Sequence, residues 1–185
     1  MERLKRIKLL AMDVDGVLTD GSMIFGSKEE IKVFNALDGL GITLAIEIGL
    51  EIAWITGNKS ESVAKRAEAL GVTNLFLGAR YKSVAIEELA RRKGLKTEEI
   101  AYIGDDLNDL PAMKTAGVAF AVANASPEAK AAVDFVTEKS GGHGAVREAI
   151  EMILKAQDRW EEGIQAFLNR LRREQESGEA PGEIT

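Results

Sequence analysis

The sequence predicts an α/β fold: a doubly wound, mostly parallel sheet with helices on both faces and a small β-hairpin. Three observations predict it. Short apolar runs alternate with longer segments of helical character along most of the 185 residues. Glycines close several of the helical segments, at Gly49, Gly71, Gly94 and Gly117. Polar residues, namely Asp13, Asp15, Thr56 and Asp105, stand at the ends of apolar runs. Open sheets of this kind gather their ligand site at the carboxyl ends of the strands.

Each element follows from local chemistry. Residues 8–14 form a compact apolar run that stops at acidic residues and Gly16, and read as a buried strand. Residues 21–34 carry two short β-like runs around the polar turn GSKEE, which predicts a hairpin. Residues 38–48 look helical, and residues 51–56 form a second strand that ends at Gly57. Ser60 is placed to cap a helix that runs to about Leu70. Residues 73–77 then read as a strand, 81–93 as a helix, 100–104 as a strand, 107–116 as a helix and 118–122 as a strand. Ser126-Pro127-Glu128 opens another helix, because proline is tolerated in a first turn. Residues 134–137 are a last short strand. Residues 145–173 are helical, with a break expected near Gln157 or Gly163. Trp160, Ile164, Phe167 and Leu171 fall on one helical stripe.

The expected organisation is one domain over 1–157, with the hairpin at about 21–34, a helical extension over 158–174 and a disordered polar tail over 175–185. A net charge of −6 argues against nucleic acid as a partner, since phosphates demand a basic footprint. It argues equally against an anionic membrane surface. The apolar run near the N-terminus is interrupted by Asp13 and Asp15 too early for a signal peptide or membrane span, so a cytoplasmic protein is expected. There are no cysteines, and His143 is the only histidine. A metal site would therefore rest on oxygen ligands, which favours Mg²⁺, Ca²⁺ or Mn²⁺.

Four segments carry candidate chemistry. Asp13 and Asp15 lie two residues apart at a strand end, so an extended chain points both the same way. Two like charges so close need a cation or a proton. Thr56, Gly57 and Asn58 offer a hydroxyl and backbone N–H groups to a phosphoryl oxygen. Lys82 opens a helix after a strand, where it can neutralise both a carboxylate and a phosphoryl group. Asp105, Asp106 and Asp109 crowd three carboxylates into five residues, more than one helix cap requires. Asp105 is the best placed to bind metal, with Asp106 and Asp109 supporting it from behind.

The joint order Asp13/Asp15, Thr56, Lys82, Asp105/Asp109 resembles the haloacid dehalogenase superfamily of phosphotransferases. The resemblance implies that Asp13 attacks phosphorus to form an aspartyl phosphate, while Asp15 protonates the leaving oxygen and then activates water. It implies that Thr56 and Lys82 hold the phosphoryl group. It also implies that Asp13, the backbone carbonyl of Asp15 and Asp105 bind Mg²⁺. Signalling receiver domains use similar residues, but there the phosphoacceptor ends a middle strand; here that strand ends at Thr56. Only about twenty residues separate Asp15 from the helix near Asn35, room for a hairpin and no cap domain. A capless site is expected to be closed by a neighbouring subunit.

The segments DVDGVLTDG, IKVFNALDGLGI, WITGNKSE, YIGDDLNDLP and SGGHGAVREAIEMIL run from about Leu9 to about Lys155. They are similar to the 3-deoxy-D-manno-octulosonate (KDO) 8-phosphate phosphatase family. That resemblance implies a capless homotetramer acting on a small phosphorylated 2-keto-3-deoxy sugar acid. It places Lys32, Phe34, Asn35 and Asp38 near substrate, and residues 141–147 at a subunit junction. Two positions depart from the family pattern. Asn58 and His143 stand where arginines are usual, and neither offers the bidentate fork that recognises a carboxylate. A nonulosonate 9-phosphate or another small phosphosugar is therefore the alternative substrate, and a non-catalytic assembly subunit the alternative role.

Overall fold

The computed structural model describes residues 1–26 and 30–177. Strands β1 (Leu9–Met12), β4 (Glu51–Thr56), β5 (Asn74–Leu77), β6 (Ile100–Gly104), β7 (Val118–Ala121) and β8 (Phe135–Val136) form one sheet in the order β5-β4-β1-β6-β7-β8. Every pairing in it is parallel. All residues of β1 and β6 are buried, as expected of parallel strands covered on both faces. On one side α1 (Ala36–Glu47), α6 (Ala145–Ala156) and α7 (Trp160–Glu176) pack together; α3 (Lys82–Lys93) and α4 (Leu110–Thr115) form another pair. The remaining α-helices among the described residues are α2 (Glu61–Ala69) and α5 (Pro127–Ala131). The register places Met12 of β1 opposite Trp54 of β4 and Ile103 of β6. Residues that follow these strands therefore emerge together at one edge.

The hairpin forms as the sequence predicts, with β2 (Ile24–Phe25) antiparallel to β3 (Glu30–Ile31). Residues 27–29 of its expected turn lie outside the described residues. Phe25 is 75% exposed, and Met23, Ile24, Ile31 and Val33 are also exposed, so the hairpin stands away from the core. No cap domain is present between β1 and α1 or between β4 and β5 among the described residues.

Several local expectations need correction. Ser60 sits at the N-cap of α2, but its hydroxyl shares a 2.9 Å hydrogen bond with the Ser62 hydroxyl and caps no backbone N–H. The helix expected over 107–116 divides into a 3-10 turn at Leu107–Asp109 and then α4. Pro111 lies in the first turn of α4, where a missing N–H costs nothing. Gly117 does not cap that helix. A side chain there would collide with the Glu98 carbonyl at 2.2 Å, so the glycine allows two loops to touch.

The break after α6 falls at Gln157, not Gly163, and Asp158 takes a positive φ of 56°. Gly163 is buried against Leu44 and Ile48, which brings α7 close to α1. The apolar stripe of α7 is only partly covered. Trp160 lies beneath the Arg147 guanidinium at 4.7 Å, whereas Leu171 is 43% exposed. Gln175 and Glu176, expected in a disordered tail, are the last residues of α7; residues 178–185 lie outside the described residues.

Candidate active site

Asp13 directly follows β1, and its N–H donates to the Ile103 carbonyl at 3.0 Å, which fixes it between the central strands. The chain then turns sharply. Thr19 Oγ1 accepts from the N–H groups of Gly16 and Gly21 at 3.3 Å each, and organises that turn. Gly16 is required twice. Its φ is +95°, and a Cβ on it would lie 2.1 Å from Asp105 Oδ2. The glycine thus lets the Asp105 carboxylate, just after β6, approach the turn that follows β1.

Asp13, Asp105 and Asp109 bring carboxylate oxygens within 4.8 Å of one another. Lys82, only 2% exposed, reaches into the cluster from the start of α3. Its Nζ lies 2.8 Å from Asp13 Oδ1 and 2.6 Å from Asp109 Oδ1. The buried Tyr102 hydroxyl also donates to Asp109 Oδ1, at 2.6 Å. Asp109 Oδ2 accepts from the N–H groups of Asp105 at 2.9 Å and Asp106 at 3.3 Å. Asp109 is therefore fully consumed by four donors, while Asp13 and Asp105 keep oxygens for other partners. Gly104 makes room for it, since a Cβ there would lie 2.5 Å from Asp109 Cγ.

Three carboxylates facing one ammonium leave an excess of negative charge in a buried site. Burial, then the Asp109 carboxylate, pushes Asp13 up to about 7, while Lys82 pulls it down. Burial, then Asp109 and Asp13, pushes Asp105 up to about 8. All the donors are hard oxygens and the surplus is anionic, so the residues fit a divalent cation such as Mg²⁺.

The sign of the pH dependence follows. In the folded, metal-free protein these two groups keep protons to about neutral pH, whereas their ordinary value is 3.8. Their contribution to stability therefore falls as pH rises from about 4 to about 8. A cation that binds the ionised forms stabilises more over the same interval. Mg²⁺ is expected to raise the melting temperature more at about pH 8.5 than at about pH 6. Thermal melts with and without Mg²⁺ check this, and equal or reversed shifts would contradict it.

The other expected site residues are placed as follows. Thr56 ends β4 with its hydroxyl buried, accepting from Asn58 N–H at 3.1 Å. Gly57 and Asn58 are exposed beside it. Asp15 does not join the three-carboxylate cluster. Its side chain, 25% exposed, instead takes Lys32 from the hairpin and Asn58 Nδ2, the latter at 3.0 Å. Asp106 serves the backbone, with Oδ1 accepting from Leu107 N–H at 2.8 Å. Phe34 stacks on buried Trp54 with centroids 6.0 Å apart. Asn35 caps α1 and donates to the Gly142 carbonyl. Asp38 is buried and accepts from the N–H groups of Gly144 and Arg147, so it ties α1 to the start of α6. Phe34, Asn35 and Asp38 thus have packing and backbone partners where substrate contacts were expected.

His143 is exposed, with Nδ1 2.9 Å from the Gly141 carbonyl. The glycine segment around it packs on this chain's own turn after β1. A Cβ on Gly141 would lie 1.7 Å from the Gly16 carbonyl, and Gly142 N–H donates to the Val17 carbonyl at 2.9 Å.

Sequence reasoning missed Tyr102, Gly104 and the buttressing role of Gly141. Only Tyr102 left a signal: a tyrosine inside an apolar strand needs a buried partner for its hydroxyl. A cavity of about 720 Å³, lined in part by Lys8, Glu99 and Arg159, opens at the amino ends of β1 and β6, the wrong end of the strands for this chemistry.

Comparison with known proteins agrees with this geometry. Residues 76–150 match the model of the haloacid dehalogenase-like hydrolases. The KDO 8-phosphate phosphatase of Escherichia coli strain BL21-DE3 is 42% identical over 163 residues, covering 88% of this chain and 87% of that protein. A crystal structure of the Yersinia pestis enzyme aligns with a TM-score of 0.85 and 43% identity, over 86% of this chain and 87% of that one. The Moraxella catarrhalis enzyme, solved with a magnesium ion, a phosphate ion and KDO, aligns with a TM-score of 0.86 and 42% identity, over 90% and 96%. The chain belongs to the KDO 8-phosphate phosphatase family of haloacid dehalogenase-like hydrolases.

Proposed function

We propose that this phosphatase is Mg²⁺-dependent, works through an aspartyl phosphate on Asp13, and acts on a phosphorylated 2-keto-3-deoxy sugar acid such as KDO 8-phosphate. The carrying observation is the buried set Asp13, Asp105, Asp109 and Lys82 at the carboxyl ends of the central strands. Mg²⁺, held by Asp13, Asp105 and the Asp15 carbonyl, would supply charge neutralisation between a carboxylate and an anionic phosphate. Lys82 sits against Asp13 and shares that neutralisation. Asp13 Oδ is the nucleophile. Asp15, at the rim, protonates the departing sugar oxygen and then takes a proton from water. Thr56 and the Gly57 N–H would hold the transferred group, the Asn58 N–H being taken by the Thr56 hydroxyl.

The nonulosonate 9-phosphate reading stays beside the first because of Asn58. Its amide is spent on Asp15, so it offers no cationic fork to a sugar carboxylate. Steady-state rates on octulosonate 8-phosphate, nonulosonate 9-phosphate and simple hexose phosphates, with and without Mg²⁺, decide between them. One sugar acid is expected to exceed the hexose phosphates in kcat/KM by at least about a hundredfold. Equal values would remove the sugar-acid claim, and rates unaffected by chelation would remove the metal.

The exposed apolar side chains of the hairpin support a homotetramer in which neighbours close the open site. Light scattering is expected to give about four chain masses, and a monomer would contradict it.

A further inference from the structure

Lys32 and Asn58 reach one carboxylate from two different elements. Lys32 follows β3 in the hairpin, and its Nζ pairs with Asp15 Oδ1 and, at 3.0 Å, with Glu30 Oε1. The Lys32 side chain is only 1% exposed, so the ammonium is closed off from water by these partners. Asn58 follows β4, and its Nδ2 donates to Asp15 Oδ2 at 3.0 Å. Asn58 is itself held on both sides. Its N–H donates to Thr56 Oγ1 at 3.1 Å, and its carbonyl accepts from Gly78 N–H at 3.1 Å. Each Asp15 oxygen therefore carries its own directed donor, and rotating the carboxylate breaks both contacts. The side-chain partners of the two donors are Asp15 and Glu30, outside the Asp13–Asp105–Asp109 cluster.

We propose that Lys32 and Asn58 are positioning residues for Asp15, holding its carboxylate in the pose that receives the proton of the attacking water. This rests on the aspartyl-phosphate reading above. In the step concerned, the water oxygen bonds to phosphorus and the phosphorus–oxygen bond to Asp13 breaks. Its electron pair returns to the Asp13 carboxylate, and the water proton passes to Asp15. That proton is then in place for the next leaving oxygen. A carboxylate free to rotate would meet the water in this geometry only part of the time, and a misplacement of about 1 Å is enough to cost up to about a hundredfold.

p-Nitrophenyl phosphate separates the two halves of the reaction. Its leaving group departs without a proton, so forming the aspartyl phosphate does not need Asp15, whereas hydrolysing it does. With Mg²⁺ present, Lys32→Met and Asn58→Ala are each expected to lower kcat by about tenfold. Their kcat/KM should stay within about threefold of wild type, because that ratio covers only the steps up to the first irreversible one. Rapid mixing should show a burst of p-nitrophenolate approaching one per site before slow turnover. Lys32→Arg, which keeps donors at the same place, should recover most of kcat.

A fall in kcat without a burst would overturn the proposal, as would a matching fall in kcat/KM. So would an effect confined to KM for sugar-acid phosphates, which would make these residues substrate contacts. Wild-type protein that turns over no phosphate ester would instead sink the phosphatase reading itself, and that result is read before any variant.

Discussion

Replacing Asp13 with asparagine is expected to abolish Mg²⁺-dependent phosphatase turnover, lowering kcat by roughly 10⁴- to 10⁶-fold, the scale seen when a covalent nucleophile is removed. The substitution is nearly isosteric, and an amide oxygen can still accept from Lys82, so the packing around β1 is kept. The amide is a poor nucleophile and a weaker metal ligand, so both functions assigned to the carboxylate go together. Stability moves the other way. The ionised Asp13 is costly in the metal-free site because burial and Asp109 push its proton affinity up to about 7. At about pH 8 the variant should therefore melt no lower than metal-free wild type, while losing most of the Mg²⁺-induced shift. Loss of turnover with an unchanged fold separates chemistry from unfolding. Turnover near the wild-type rate in this variant would move the nucleophile elsewhere.

The parts of this arrangement legible in the sequence are those set by local chemistry. Apolar runs located the strands, because parallel strands buried on both faces read as continuous hydrophobic segments. The residue that ends or follows each run marks the site edge, which points to Asp13, Thr56 and Asp105. What stayed hidden depends on contacts between distant segments. Asp109 reads in the sequence as a support behind Asp105, but nothing local shows that it gathers Lys82 from α3 and Tyr102 from β6. Gly117 reads as a helix stop and Gly141 as part of a subunit junction, whereas each is fixed by the approach of another loop, at Glu98 and Gly16. Asp13 and Asp15 were expected to face the same way by strand alternation. The chain leaves the extended conformation right after Asp13, with Gly16 at φ +95°, so Asp15 finds Lys32 and Asn58 instead. Asp38 is placed near substrate by the family resemblance, but its backbone partners at Gly144 and Arg147 lie over a hundred residues away and leave no local signal.

Asp109 carries the second large expected effect, and here stability and activity fall together. Its carboxylate accepts from Lys82, Tyr102, Asp105 N–H and Asp106 N–H, and it is fully buried. Asp109→Ala leaves a buried tyrosine hydroxyl and two backbone donors without partners, and removes one of the two carboxylates that hold Lys82. Breaking such a buried charged network costs about 3–5 kcal/mol. For a domain of this size that is roughly a 6–20 °C drop in melting temperature. Asparagine does not repair it. All four partners are donors, and an amide has one acceptor oxygen, so its NH₂ group must face either the Lys82 side or the backbone N–H pair. Asp109→Asn is therefore expected to lose at least about 2 kcal/mol as well. Lys82 and the Asp105 backbone then lose their fixed places, so kcat should fall by at least about a hundredfold in both variants. Denaturant melts and Mg²⁺-dependent turnover read the two effects separately. An Asp109→Asn protein that keeps wild-type stability and turnover would show that Asp109 is not the anchor on which Lys82 and Asp105 depend.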